Sequence, residues 1–153
     1  AQLRRTTGEM RSLLVDIYPP NLATEGLAAA LSDLADTVER DGVQVELELA
    51  DADGLPLPVS SVLFRAAQEI LRYVVAHSRS RQVSVRLSRP AGRAILAIDD
   101  DGQGFEESAL PERRREGHVG LRSLGDLVRD SGGRLTVRSA PGQGTRVEVE
   151  VPE

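Results

Sequence analysis

Residues 95–105 read ILAIDDDGQGF: an apolar strand that runs straight into carboxylates and two glycines two residues apart. The core of this stretch is Asp100, Gly102 and Gly104, a D-x-G-x-G unit placed directly after a strand. Glycine lets backbone approach a neighbour closely and tolerates positive φ angles. Taken alone, the same letters also describe an ordinary Asp-Gly turn, so the rest of the chain decides their meaning.

Working outward, Ala94 to Ile98 and the alternating Val83, Val85 and Leu87 flank a turn at Pro90 to Gly92, which predicts an antiparallel hairpin. Upstream, Val62, Leu63, Ala66, Ile70, Leu71 and Val74 recur at helical spacing, and the helix is expected from Val59 to His77. DADGLPLP, residues 51–58, is a turn-rich loop. Val43, Val45, Leu47 and Leu49 alternate with polar residues, as in a strand with one buried face. Thr24 is a candidate N-cap for the apolar run Leu27, Ala28, Leu31, Leu34, Ala35 and Val38, which Gly42 would close. An amphipathic helix is expected over Leu3, Met10, Leu13, Leu14 and Ile17, ended by Pro19 and Pro20. That stripe suits a surface helix or one member of an intermolecular bundle.

Downstream lies a polar, arginine-rich stretch, EESALPERRREGH. A helix is expected from Val119 to Ser131, then strands at Leu135 to Val137 and Thr145 to Val151, joined by a glycine turn at residues 141–144. Helices and strands are interspersed, yet most neighbouring strands are hairpin-linked. The fold class expected is α+β: a two-layer sandwich with one mixed, mostly antiparallel sheet covered by helices on one face.

Composition narrows the function. The 153 residues suit a single domain with a real core. Nineteen Lys and Arg against 24 acidic residues leave a net charge of -5, which argues against nucleic acid as partner. No cysteine occurs, so disulfides and thiolate metal sites are excluded, as fits a reducing cytoplasm. No apolar run approaches the roughly 20 residues needed to cross a bilayer, and direct membrane contact is not expected. Apart from two histidines every basic residue is arginine, so no lysine can clamp a phosphate.

Two further glycine clusters carry possible chemistry. Gly117 and Gly120 lie in GHVGL at a helix start, where free N–H groups and a partial positive charge suit phosphate oxygens. Gly142, Gly144 and Thr145 form GQGT, which by itself is a hairpin turn. A carboxylate fixed at a strand end, such as Asp100, can accept from an exocyclic amine like that of adenine. In order, the chain has QEILRYVVAHS, DDGQGF, GHVGL and GQGTRVEVEVP. That succession resembles the ATPase domain shared by histidine kinases, gyrases, Hsp90-type chaperones and MutL-type repair proteins. The GHxGL spelling, the Gln-Glu pair and the short lid narrow the resemblance to sensor histidine kinases of the nitrate-sensor and desaturase-regulator class. IYPPNLATEGLAAAL, at residues 17–31, resembles the end of the dimerisation helix and the linker of that class.

The resemblance implies a Bergerat-type ATPase fold, with residues 1–20 as the end of a dimerisation helix and 21–153 as the ATP-binding catalytic domain. Asp100 would recognise the adenine amine, with Gly102 and Gly104 shaping that wall and Thr145 beside it. Gly117, His118, Gly120 and Leu121 would border the phosphates and the lid. Glu69 would act near the reacting phosphate or in the water shell of a metal, and His77 would finish its helix as a site residue or simply as a cap. The family's phosphoacceptor histidine lies on the first dimerisation helix, and neither His77 nor His118 matches it. Expected partners are ATP or ADP, the chain's own phosphoacceptor domain, a response regulator and a second copy as homodimer, in the cytoplasm or on the cytoplasmic side of a membrane-anchored sensor.

Three positions depart from the pattern. Tyr73 stands where the family has an asparagine that gives an oxygen to Mg²⁺, and Ala76 where a lysine or arginine is common. A phenol is bulky and stays protonated near neutrality, which sets Mg²⁺ use in question. Leu124 replaces a methionine and preserves an apolar contact. Two functions stay open: ATP binding for phosphoryl transfer to a histidine elsewhere, or a degenerate, non-catalytic module of the same fold that docks a protein. An anti-sigma-factor kinase shares the fold, but the leading helix and its PP linker disfavour it.

Overall fold

The computed structural model describes residues 20–49, 52–106 and 119–153. The expected helix at Leu3 to Ile17 and the sites at Gly117 and His118 lie outside those residues. Each strand predicted from alternation is present, and each runs antiparallel to its neighbours except at one edge. Strand β1 (Gln44–Glu48) pairs in parallel with β2 (Gln82–Ser88), β2 pairs antiparallel with β3 (Arg93–Asp100), β3 with β5 (Thr145–Pro152), and β5 with β4 (Arg134–Ser139). The sheet order is therefore β1-β2-β3-β5-β4. The parallel pair is the one joined through a helix, as the connection rules require.

Period-two alternation makes the sheet two-faced. Ala94, Leu96 and Ile98 of β3 and Val147, Val149 and Val151 of β5 are buried, while Asp99, Arg146, Glu148 and Glu150 stay outside. The helices α2 (Leu27–Arg40), α3 (Leu57–Tyr73) and α4 (Val119–Asp130) supply the other half of one core through Leu31, Leu63, Ile70, Leu124 and Val128. The opposite face is a charged lattice in which Arg146 reaches Asp99 at 3.6 Å and Glu148 at 3.5 Å. Such exposed pairs contribute at most about 1 kcal/mol each and serve to keep that face wet.

Two boundaries differ from the sequence expectation. Pro20 opens a helix rather than only ending one: α1 spans Pro20–Glu25, with proline at the first position, where no N–H is needed. Thr24 lies inside α1 and is not an N-cap. The break falls at Gly26, whose φ of 92° ends α1 and starts α2, with its N–H on the carbonyls of Asn21 and Leu22. Leu22 and Leu27 are both buried on either side of the break, so the chain must turn sharply between them. The second difference is at the end of α3. The α-helix stops at Tyr73 and Val74–Ser78 continue as a wider π turn, closed by Arg79 in the left-handed region with φ 55°. The apolar periodicity of residues 59–77 carries no sign of this widening.

Candidate functional site

Two elements meet at the carboxyl end of β3. The first is a stripe along α3 and its π turn: Arg65 and Arg72 flank Glu69 at four and three residues, and Glu69, Tyr73 and His77 follow at four-residue steps, with Arg72 about 100° round the helix from Tyr73. The Tyr73 and His77 rings lie 5.5 Å apart, and Tyr73 meets Phe105 edge-on at 6.3 Å. Phe105 is buried, so the tyrosine ring is seated against the loop that follows β3. Glu69 is buried, and its Oε1 lies 3.3 Å from Arg65 on one side and 3.3 Å from Arg72 on the other. Arg72 nevertheless keeps a side chain 63% exposed.

The second element is the loop 101–106, fixed largely by backbone. Gln103 N–H donates to the Ser78 carbonyl at 2.7 Å, Gly142 N–H to the Gln103 carbonyl at 2.7 Å, and Gln103 Nε2 to the His77 carbonyl at 2.9 Å. A Cβ on Gly102 would sit 2.1 Å from the Ser78 carbonyl oxygen, and one on Gly104 2.1 Å from that of Ala140. Both glycines are thus required by close backbone contact, before any ligand is considered. The turn before β5 obeys the same rule, since a Cβ on Gly144 would meet the Asp100 carbonyl oxygen at 2.1 Å.

Asp100 stands where these elements join. Its Oδ1 accepts from Gly102 N–H at 2.9 Å and from Ser80 Oγ at 3.0 Å. Burial raises its pKa above the ordinary 3.8, and the Gly102 and Ser80 donors pull the other way. Thr145, its partner in the β3–β5 register, is buried, with its hydroxyl 2.9 Å from Ser139 Oγ. The neighbouring Asp101 is exposed and behaves oppositely. Its carboxylate accepts the N–H groups of Gln82 and Arg81, which hold its pKa below the ordinary value.

Of the residues expected at the site, Tyr73, His77, Asp100, Gly102, Gly104 and Thr145 are brought together, and Glu69 lies one helical turn away from Tyr73. Gly120 and Leu121 fall in the first turn of α4. Sequence reading missed Ser80 and Ser78 behind Asp100, and Ser139, which accepts Phe105 N–H at 2.9 Å and donates to the Gly144 carbonyl. Only the HSRS spelling hinted at the first pair, and single serines carry little signal.

The stripe on α3 does not suit Mg²⁺. Magnesium takes compact oxygen ligands in near-octahedral array. Here the central position is a phenol packed on Phe105, and the one carboxylate is already shared by two arginines. Among the described residues no group of three or more His, Cys, Asp or Glu side chains could hold a metal.

Comparison with known proteins agrees with this geometry. The histidine kinase-, DNA gyrase B- and HSP90-like ATPase family matches residues 59–153. An uncharacterized sensor-like histidine kinase of Chloroflexus aurantiacus is 32% identical over 97% of this chain and 26% of its own length. The sensor histidine kinase LiaS of Bacillus subtilis is 32% identical over 94% of this chain and 39% of its own. The chain thus spans well under half the length of these curated relatives. Among solved structures, the histidine kinase domain of the Erythrobacter litoralis EL346 blue-light activated histidine kinase superposes with a TM-score of 0.68, at 27% identity, over 82% of this chain and 60% of that one. Full-length ShkA in complex with AMPPNP shares the fold, with a TM-score of 0.64 at 17% identity over 82% of this chain and 29% of its own. With the motifs, the sheet order and these relatives in agreement, the chain belongs to the histidine kinase-, DNA gyrase B- and HSP90-like ATPase family, as the ATPase domain of a sensor histidine kinase.

Proposed function

We propose that this domain binds ATP with the adenine amine on Asp100 and the phosphates toward the α3 stripe and the start of α4, and presents the γ-phosphoryl group to a histidine of the dimerisation and phosphoacceptor domain. The observation that carries this reading is Asp100. It is a strand-end carboxylate whose Oδ1 is engaged by Gly102 and Ser80, in the position the family motif assigns to adenine recognition. Thr145, Gly102 and Gly104 wall the same end. Gly117, His118, Gly120 and Leu121 are the phosphate-side residues of the proposal. ATP supplies the transferable phosphoryl group; the protein's contribution is to position it and to offset its charge.

With Tyr73 in place of a metal-binding amide, that charge is offset by guanidinium. Arg72 is the exposed cation beside the stripe, and Glu69 steers it rather than standing free as a base. His77 packs on Tyr73 and lends its carbonyl to Gln103, so its role is to join the stripe to the loop. The onward partner is a response regulator, and the active form is a homodimer through the dimerisation helices. No helix among the described residues is long and apolar enough to cross a membrane.

Calorimetric titration with ADP and a non-hydrolysable ATP analogue, with and without Mg²⁺, tests both parts. The expected result is micromolar binding that changes less than about threefold on removing Mg²⁺. A strong Mg²⁺ requirement would overturn the role given to Tyr73 and Arg72. No binding in any condition would overturn the nucleotide reading and leave a protein-docking module of the same fold.

A further inference from the structure

Asp100 reads an amine only if its carboxylate presents one oxygen to the ligand and is prevented from turning. The torsion of an aspartate carboxylate is broad and roughly two-fold, so covalent geometry alone does not hold it. Two donors converge on the same oxygen, Oδ1: the Gly102 N–H at 2.9 Å and the Ser80 hydroxyl at 3.0 Å, and the Thr145 backbone adds a further hydrogen bond to the carboxylate. The two on Oδ1 arrive from different segments, the loop after β3 and the segment after the π turn. Behind Ser80, at 2.5 Å, stands the hydroxyl of Ser78, which also reaches the Val74 carbonyl at 2.7 Å. Each hydroxyl has one proton, so Ser80 can donate to Asp100 and accept from Ser78 only when the Ser78 proton leaves the Val74 carbonyl; with that proton on Val74, Ser78 backs Ser80 by contact alone.

The backbone between the two serines is unusual. Arg79, a non-glycine residue, sits in the left-handed region at φ 55° and ψ 33°. Left-handed backbone at such a residue costs energy and persists only where surrounding contacts demand it. Here it brings two serine hydroxyls, two residues apart, into contact, and sets the nearer one against Asp100. The same Ser78 lends its carbonyl to Gln103 N–H and stands against Gly102, so one short segment fixes both donors that meet Oδ1.

We propose that Ser80, backed by Ser78, is the positioning residue of the adenine carboxylate: it holds Oδ1 of Asp100 so that Oδ2 is turned to the ligand's amine. The inference rests on the nucleotide reading above and adds a residue that discriminates adenine from a 6-oxo purine without touching either. Discrimination of this kind is large where a buried polar group is held for one partner and left unpaired by the other.

The test is titration of the 153-residue chain and its Ser80→Ala and Ser80→Thr variants with ADP and with GDP. Ser80→Ala is expected to weaken ADP by about tenfold while GDP, already weak, changes little; Ser80→Thr is expected to restore ADP. Unchanged ADP affinity in Ser80→Ala overturns the inference, and so does an equal loss for ADP and GDP, which would mean a structural role only. If the unaltered chain binds neither nucleotide, the nucleotide reading falls first and this inference with it. A second measurement needs no ligand: the NMR titration of the Asp100 carboxyl is expected to move to higher pH in Ser80→Ala, as a donor to the ionised form is lost. A carboxyl midpoint unmoved by the substitution would show that Ser80 does not hold Asp100.

Discussion

The loop wall of the site, residues 100–106, is held mainly by backbone, whereas the α3 wall, Glu69 to His77, is held by side chains. On the loop wall, Gly102 and Gly104 stand so close to the carbonyl oxygens of Ser78 and Ala140 that no Cβ fits, and Gly144, in the turn before β5, stands as close to that of Asp100. On the α3 wall, Tyr73 leans on His77 and Phe105, and Glu69 is shared by Arg65 and Arg72. Backbone contact at about 2 Å from a missing Cβ admits no substitution; ring packing and ion pairs admit many. The difference teaches why the glycines of the loop wall tolerate no side chain while positions on the α3 wall, such as Tyr73, admit alternatives.

The sharpest way to break this comparison is Gly102→Ala. Its new Cβ meets the Ser78 carbonyl, a backbone atom that cannot swing aside, so a loss of about 3 kcal/mol is expected. In thermal unfolding that is a drop of roughly 6–12 °C for a chain of this size. Gly125→Ala is the control. Its nearest neighbour is Leu135 Cδ2 at 3.7 Å, and it sits within α4, where alanine favours the helix by up to ~1 kcal/mol. Equal melting temperatures for the two variants would show that the loop wall is as tolerant as the helix.

What the sequence disclosed follows the same division. Strand alternation and the glycine turns were legible because one buried face and forced backbone contact restrict residue type at fixed spacing. Those signals located Asp100, Gly102, Gly104 and Thr145 on their strands and turns; their place in one site came from the resemblance to the ATPase domain, and the structure brings them together. The α1–α2 break at Gly26 was misread as a cap at Thr24, because a Thr-Glu pair before an apolar run has the same letters whether it opens a helix or closes one. The π turn at Val74–Ser78 and the Ser78–Ser80–Asp100 chain were not legible at all. Each depends on where Arg79 bends the chain, and an arginine gives no local signal for a left-handed backbone.

Binding separates the walls next. Asp100→Asn keeps the shape of the loop but replaces an ionised acceptor, and ADP affinity is expected to fall about 30-fold, the value of one hydrogen bond to a charged group. Tyr73→Phe, which keeps the ring against Phe105, is expected to change ADP affinity less than threefold by calorimetry. A larger loss in Tyr73→Phe than in Asp100→Asn would place the binding energy on α3 and reverse the comparison. A smaller, directional effect is expected from Tyr73→Asn combined with Ala76→Arg. If the phenol is what disfavours the metal, the double variant gains an Mg²⁺ dependence of about tenfold in the same titration.

The smallest effect lies within the loop wall itself, between two neighbouring carboxylates. Burial raises the Asp100 pKa, so the folded chain holds that proton more tightly than the unfolded chain does. Its contribution to stability is greatest at low pH and declines as pH rises from 3.8 through the raised folded value. Asp101, whose pKa the Gln82 and Arg81 N–H groups lower, contributes above 3.8 and loses that contribution as pH falls through the lowered value. The two slopes oppose each other in the melting temperature, but binding tells them apart, because in the proposed site the ionised form of Asp100 is the one that would receive the adenine amine most strongly. ADP affinity is therefore expected to weaken as pH is lowered toward the raised Asp100 value, approaching tenfold per unit below it. Asp101→Asn is expected to keep that profile while losing stability at neutral pH, and Asp100→Asn to flatten it. A profile that survives in Asp100→Asn would assign the titration, and with it the adenine contact, to another group.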